Sequence, residues 1–270
     1  MKIHVHITCW NEQKILPFTL AHYSSFCDKI FVHDNMSTDM SPFICTDFPN
    51  VKVDFWDGKA EKGKFNDNEA RWIKHDAYIR ESRAVADWVI LADCDELIYH
   101  PNIVEVLEGY MRRGINYPII QGYDMVSEDF PPYSWGSQIT DLVKTGVGYD
   151  PFPPDKIYTE EESWGYSKPI VFNPALEVKL SVGSHFITSR VTQELPPPSD
   201  IDKFVFSEEA DIKLLHYKNL SEDYVVERCR RLGERLSNYN IKKSLSMGWL
   251  DDEGTKNHFR SLLKNSKIVI

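Results

Sequence analysis

Two aspartates spaced i, i+2, in Asp93-Cys94-Asp95-Glu96, follow directly on a short apolar run, Trp88-Val89-Ile90-Leu91-Ala92. Acids at the end of a buried strand can hold a hard divalent cation against substrate phosphates, because oxygen ligands suit Mg2+ or Mn2+. In open α/β sheets, ligands also gather outside the carboxyl ends of the strands. Asp200-Ile201-Asp202 repeats the spacing beside Pro196-Pro197-Pro198, where the composition is that of a loop. Context, not spacing, therefore singles out the first pair. Two more polar clusters, Asn11-Glu12 and Asp34-Asn35-Met36-Ser37-Thr38-Asp39, follow apolar runs in the same way.

The elements that must position these clusters are legible as periodicities. Ile3, Val5 and Ile7 alternate with His4, His6 and Thr8, which is a strand pattern. Leu16, Leu20, Tyr23 and Cys27 then repeat at helical spacing, with Pro17 admissible only in the first turn. Strands are predicted at 30–32, 51–55 and 88–92, and helices at about 66–85 and 103–111, the latter with Asn102 as its cap. Strand and helix alternating four times predict a mostly parallel sheet flanked by helices, with the clusters at 9–12, 34–39 and 93–96 on one edge. From 123 to 169 the texture changes to prolines among aromatics, including Tyr123, Trp135, Tyr149 and Trp164, which reads as a long aromatic-rich insertion. Its rings suit sugar stacking or a small satellite core. Short strands are expected at 170–172 and 176–182, and Ile212–His216 alternates too little to be an exposed strand. Ser221-Glu222-Asp223 opens a helix to about 240, and another helix is expected near 254–265. The division expected is a domain over 1–220, its halves meeting near 122, followed by a C-terminal helical extension over 221–270.

A chain of 270 residues with 42% hydrophobic content can bury a sizeable core. The net charge of −10 argues against a nucleic-acid partner, and the only basic excess lies in residues 221–270. No run is long and apolar enough for a membrane span, and Met1-Lys2-Ile3-His4-Val5-His6 lacks the apolar core of a signal peptide. Five cysteines without CxxC spacing suit a reducing compartment, so a cytoplasmic location is expected.

Taken in order, Trp10-Asn11-Glu12, Leu16-Pro17, His22-Tyr23, Asp34-Asn35-x-Ser37-Thr38-Asp39, Asp87-Trp88 and Asp93-Cys94-Asp95-Glu96 resemble the signature of family-2-type glycosyltransferases with the GT-A fold. His216-Tyr217-Lys218-Asn219, Arg228 and Arg235-Leu236-Ser237 are similar to the C-terminal block of bacterial members. The resemblance spans about residues 3–240. It implies a nucleoside-diphosphate sugar donor, a glycan or other hydroxyl acceptor, and Mn2+ or Mg2+. By the same resemblance Asn11 and Glu12 would lie near the nucleoside, and Asp34 would bond the base edge or ribose. Asp93 and Asp95 match the metal-binding acids, and His216 a further ligand, with His185 a weaker candidate for that place. Asp34 and Asp39 are also well suited to ordinary turn capping. If transfer inverts the anomeric centre, a carboxylate must take the acceptor's proton. Asp124, Glu128 and Asp129 are the candidates, the last two favoured by the stiff Phe130-Pro131-Pro132 beyond them. Arg71 and Lys168 could contact the diphosphate. His75, near where many relatives carry Asn, and Cys94, in the middle of the acidic motif, depart from the pattern. Two competing readings are a nucleotidyltransferase, which usually needs a Gly-rich loop after strand one that Cys9–Glu12 does not provide, and a catalytically silent carbohydrate-binding scaffold. The identity of the sugar and the oligomeric state are left open by the sequence.

Overall fold

The computed structural model describes residues 1–59, 63–64, 66–151, 167–185, 203–235 and 251–270. Strands β1 (Ile3–Cys9), β2 (Lys29–Asp34), β3 (Val51–Phe55) and β4 (Trp88–Asp93) alternate with helices α1 (Leu16–Ser24), α2 (Ser41–Cys45) and α3 (Asp67–Glu81). Their spatial order is β3-β2-β1-β4, parallel throughout, with β8 (Val171–Phe172) antiparallel on β4. Thr8 pairs with both His33 and Asp93, so the carboxyl ends of β1, β2 and β4 open on one edge as expected.

Beyond Asp93 the expectation of one mostly parallel sheet gives way to two sheets. A second, mixed sheet has the order β10-β7-β6-β9-β5, formed by β5 (Glu96–Tyr99), β6 (Ile120–Ser127), β7 (Thr145–Gly148), β9 (Ile212–Leu220) and β10 (Lys267–Ile268). Only the pairing of β6 with β9 is parallel in it. Four further helices are described: α4 (Ile103–Arg112), the short α5 (Ile139–Leu142), α6 (Glu222–Arg235) and α7 (Asp252–Asn265). The expected insertion is thus partly regular, since 123–127 lies in β6 and 145–148 in β7, while 152–166 falls outside the described residues, as do Asp200 and Asp202.

The stretch 176–182 is not the strand its alternation predicts. Leu176, Val178 and Leu180 are buried, but the alternation serves packing against α3: the Val178 amide donates to Tyr78 Oη at 3.0 Å. Asn102 precedes α4 without capping it through its side chain; instead its own amide donates to His100 Nδ1 at 3.0 Å. Asn66 does cap α3, accepting from the amides of Asn68 and Glu69 at 2.9 and 3.3 Å. Ser221, with φ 91°, caps α6 through a bond from the Tyr224 amide at 3.3 Å. The last residues return to the second sheet, where β10 pairs with β7 and Lys213 Nζ donates to Val269 O at 2.7 Å. Among the described residues, no helix is long and apolar enough to cross a membrane.

Every residue of β1 is buried, including the face that carries His4 and His6. His4 Nδ1 and His6 Nε2 both meet Ser82 Oγ, at 2.9 and 2.8 Å, and His6 Nδ1 shares a hydrogen bond of 3.1 Å with His33 Nε2. Burial pushes the His33 pKa down to about 4 and that of His22, on the buried side of α1, also to about 4. Both folded values lie below the unfolded 6.5, so the unfolded chain binds more protons between pH 6.5 and 4. Stability is therefore full above pH 6.5 and lost as the pH falls toward 4, by about 2 kcal/mol for each of the two histidines between pH 7 and 5. Urea denaturation at the two pH values measures this, and equal stability at both would contradict it.

Candidate active site

A cavity of about 300 Å3 opens at the carboxyl ends of β1 and β4. Its wall is built from Thr8 to Trp10 and Glu12 after β1, Arg71 and Lys74 of α3, the Asp93–Asp95 turn, Lys168, Ser184, His216 and Lys218 of β9, and Arg228 of α6.

Asp93 faces lysines. One of its oxygens accepts from Thr8 Oγ1 and Lys74 Nζ, both at 2.8 Å, and the other lies 3.8 Å from Lys168 Nζ. Burial opposes ionisation of this carboxyl, but the ammonium groups of Lys74 and Lys168 outweigh it and hold the pKa below the usual carboxylate range. Lys168 is ion-paired to Glu96 as well, and the second Glu96 oxygen accepts from the Asp93 amide at 3.0 Å. Glu96 thus braces the turn from beneath.

Asp95 points the other way, toward the second sheet and α6. Its buried Oδ2 is ion-paired to two groups, lying 3.0 Å from Arg228 Nη2 and 3.3 Å from His216 Nε2. Burial again disfavours the charge on Asp95; Arg228 first and then His216 overcome it and pull the pKa below the carboxylate range. On His216 burial is likewise outweighed, here by the Asp95 charge, and its pKa is raised. β9 carries His216 between Glu96 of β5 and Asp124 of β6, and the Tyr217 amide donates to Asp95 O at 2.7 Å.

Asp124, an expected base candidate, is fully buried. One oxygen meets His216 Nδ1 at 3.0 Å and the other accepts from Tyr149 Oη at 2.8 Å, with Lys218 3.8 Å away. These contacts orient the imidazole, and Asp124 is not part of the cavity wall. Glu128 and Asp129 are exposed just past β6 and do not line the cavity.

Glu12 lines the cavity and is held by Arg228 Nε at 3.0 Å and Arg231 Nη2 at 3.5 Å. Asn11 and Asp34 do not reach the wall. Asn11, at φ 51°, accepts from the Thr38 amide at 2.7 Å, and buried Asp34 accepts from the Ser37 amide at 2.7 Å, so both shape the 35–39 loop. That is the turn-capping role weighed for Asp34. Asp39 does the same, accepting from the Ser41 amide at 2.9 Å. Arg71 lines the cavity with its guanidinium 5.0 Å from the Trp72 ring centre, whereas His185 is off the wall.

The divalent cation implied by the motif fits Asp95 and His216. A buried carboxylate oxygen faces, at 3.3 Å, an imidazole nitrogen whose opposite nitrogen is fixed by a carboxylate, the usual support of a metal-bound histidine. The oxygens of Asp93 are turned to Thr8 and the lysines. Among the described residues no group of three or more His, Cys, Asp or Glu gathers as a metal cage.

Lys74 and the double engagement of Arg228 were missed by sequence reasoning. Lys74 sits one turn after Arg71 on the same face of α3, which was the available signal.

No protein-family model and no curated protein matches the sequence. Solved structures with a similar backbone path include S. aureus TarS 1-349, at 13% identity over 93% of this chain and 70% of that one, with a TM-score of 0.46. The same fragment in complex with UDP-GlcNAc aligns at 14% identity over 87% and 66%, with a TM-score of 0.45. Glucosyl-3-phosphoglycerate synthase from Mycobacterium tuberculosis in complex with phosphoglyceric acid aligns at 21% identity over 46% and 44%, with a TM-score of 0.32. Against a longer TarS chain, this chain spans 39% of the length.

Proposed function

We propose that the chain is a metal-dependent glycosyltransferase that moves a sugar from a nucleoside-diphosphate donor to a glycan or other hydroxyl acceptor, inverting the anomeric centre. One observation carries the reading: the Asp93–Asp95 turn meets Lys74, Lys168 and Arg228 around one cavity at the carboxyl ends of parallel strands. Cations and acids so interleaved suit a diphosphate with its counter-ion, and the ordered sequence motifs agree with it.

In this reading Lys74, Lys168 and Arg228 bind the diphosphate oxygens, with Arg71 at the rim. Asp93 fixes the two ammonium groups, and Glu12 and Trp10 border the nucleoside. Asp95 and His216 would hold Mn2+ or Mg2+, which when bound neutralises charge on the departing diphosphate. Asp124 keeps His216 turned toward Asp95. The acceptor oxygen bonds to the anomeric carbon as the bond to the diphosphate breaks, and its proton passes to a carboxylate, for which Glu128 and Asp129 are put forward. A cytoplasmic setting, where the cysteines stay reduced, belongs to the same proposal.

The test is a mass-spectrometric screen of nucleotide-sugar hydrolysis, with UDP-GlcNAc among the donors, beside calorimetry with UDP, GDP and CDP with and without Mn2+. One donor should be hydrolysed and its nucleotide should bind more tightly with metal. No hydrolysis together with no metal-enhanced binding would overturn the proposal.

A further inference from the structure

We infer that Arg228 is a built-in counter-cation that competes with the divalent metal for Asp95 and crosses to the donor's diphosphate when the metal enters. The inference rests on the transferase reading of this site. It begins with a coincidence of position: Arg228 Nη2 and His216 Nε2 face the same atom, Asp95 Oδ2, at 3.0 and 3.3 Å. A divalent ion seated between Asp95 and His216 would stand within contact range of a guanidinium on that oxygen. Like charges at such spacing repel strongly in a buried site.

The two ends of the guanidinium have different partners. Nε makes a hydrogen bond to Glu12 Oε1 at 3.0 Å, whereas Nη2 is ion-paired to Asp95. Glu12 can therefore retain Arg228 through Nε as Nη2 swings away from Asp95. Arg231, one turn further along α6, also contacts Glu12, so that acid stays compensated during the exchange. Arg228 is 19% exposed in its side chain and lines the cavity, which gives the released fork somewhere to go. A guanidinium fork matches paired phosphate oxygens, so a diphosphate rewards the move. Metal and diphosphate then favour each other's binding, each by relieving Arg228 of one partner or supplying another, and the coupling is reciprocal.

The experiment titrates Mn2+ alone into wild type, R228Q and R228K, reading free Mn2+ by electron paramagnetic resonance, and repeats each titration with inorganic pyrophosphate. R228Q is expected to bind Mn2+ about tenfold more tightly than wild type, within the usual range for coupled sites. Pyrophosphate should tighten Mn2+ binding to wild type and do so less for R228Q. R228K keeps a charge on a shorter, unforked side chain and guards against a variant that does not fold; it should gain Mn2+ affinity by a smaller factor. Adding D95N to R228Q should remove the gain, which locates it. Mn2+ binding no tighter in either Arg228 variant than in wild type would overturn the inference. The transferase reading is judged separately by the donor screen, since the Mn2+ titration needs no turnover.

Discussion

Asp95→Asn is expected to lower turnover of the donor found in the screen by about 10²–10³-fold, because the site loses the carboxylate proposed to hold the metal that offsets charge on the departing diphosphate. The substitution keeps the shape of the side chain and removes its charge. Glu12 remains to neutralise Arg228, and Asp124 remains to hold His216, so the fold should survive. Two readouts separate chemistry from collapse: donor hydrolysis with saturating Mn2+, and the denaturation midpoint of the same sample. If the Asn variant hydrolyses donor within threefold of wild type, Asp95 has no part in the reaction. Loss of activity with a parallel loss of folding would speak for a structural role instead.

Lys168→Met should destabilise the protein by about 3–5 kcal/mol, because it strands a buried acid. The Lys168 side chain is 5% exposed and that of Glu96 1%, and the pair sits directly beneath the acidic turn. Replacing both partners should cost much less than replacing one. In Lys168→Met/Glu96→Gln the amide carbonyl can still accept from the Asp93 amide, while the unpaired charge is gone. Guanidinium denaturation of the single and double variants at pH 7 makes the comparison. A single variant within 1 kcal/mol of wild type, or a double variant no more stable than the single, would show that the pair is not the brace described here.

The first four strands were readable because each is a short run with an apolar face, and their polar ends were readable because carboxylates and amides rarely interrupt such runs without reason. The second sheet was readable only in part, at Ile119-Ile120 where β6 begins and at 212–216 in β9. β5 is four residues long and begins at Glu96, so it was absorbed into the acidic motif. β6 contains Asp124, a fully buried acid, and a charge inside a strand reads as loop. The partners of Asp124 were hidden for the same reason, since His216 and Tyr149 become its neighbours only when β9 and the chain after β7 fold onto β6. Asp93 and Asp95 were found as a pair with different tasks, Asp95 for the metal and Asp93 nearer the ribose, but the side chains that hold each were not foreseeable. These are Lys74 and Lys168 on one side and His216 and Arg228 on the other, contacts that span from 19 to more than a hundred residues of sequence. Even the alternation at 176–182 misled for a physical reason, because facing Tyr78 imposes the same period as a strand ladder.

Only Cys94 and Asp95 separate the last residue of β4 from the first of β5, and these strands belong to different sheets. The acidic turn is therefore a splice with no slack. One residue added there would slip β5 against β9 by a register step and turn Glu96 away from Lys168, whereas the exposed 133–136 segment could be lengthened without moving any paired strand. For anyone grafting loops onto this scaffold to alter its acceptor, the turn marks the stretch whose length must be kept, whatever residues are exchanged around it.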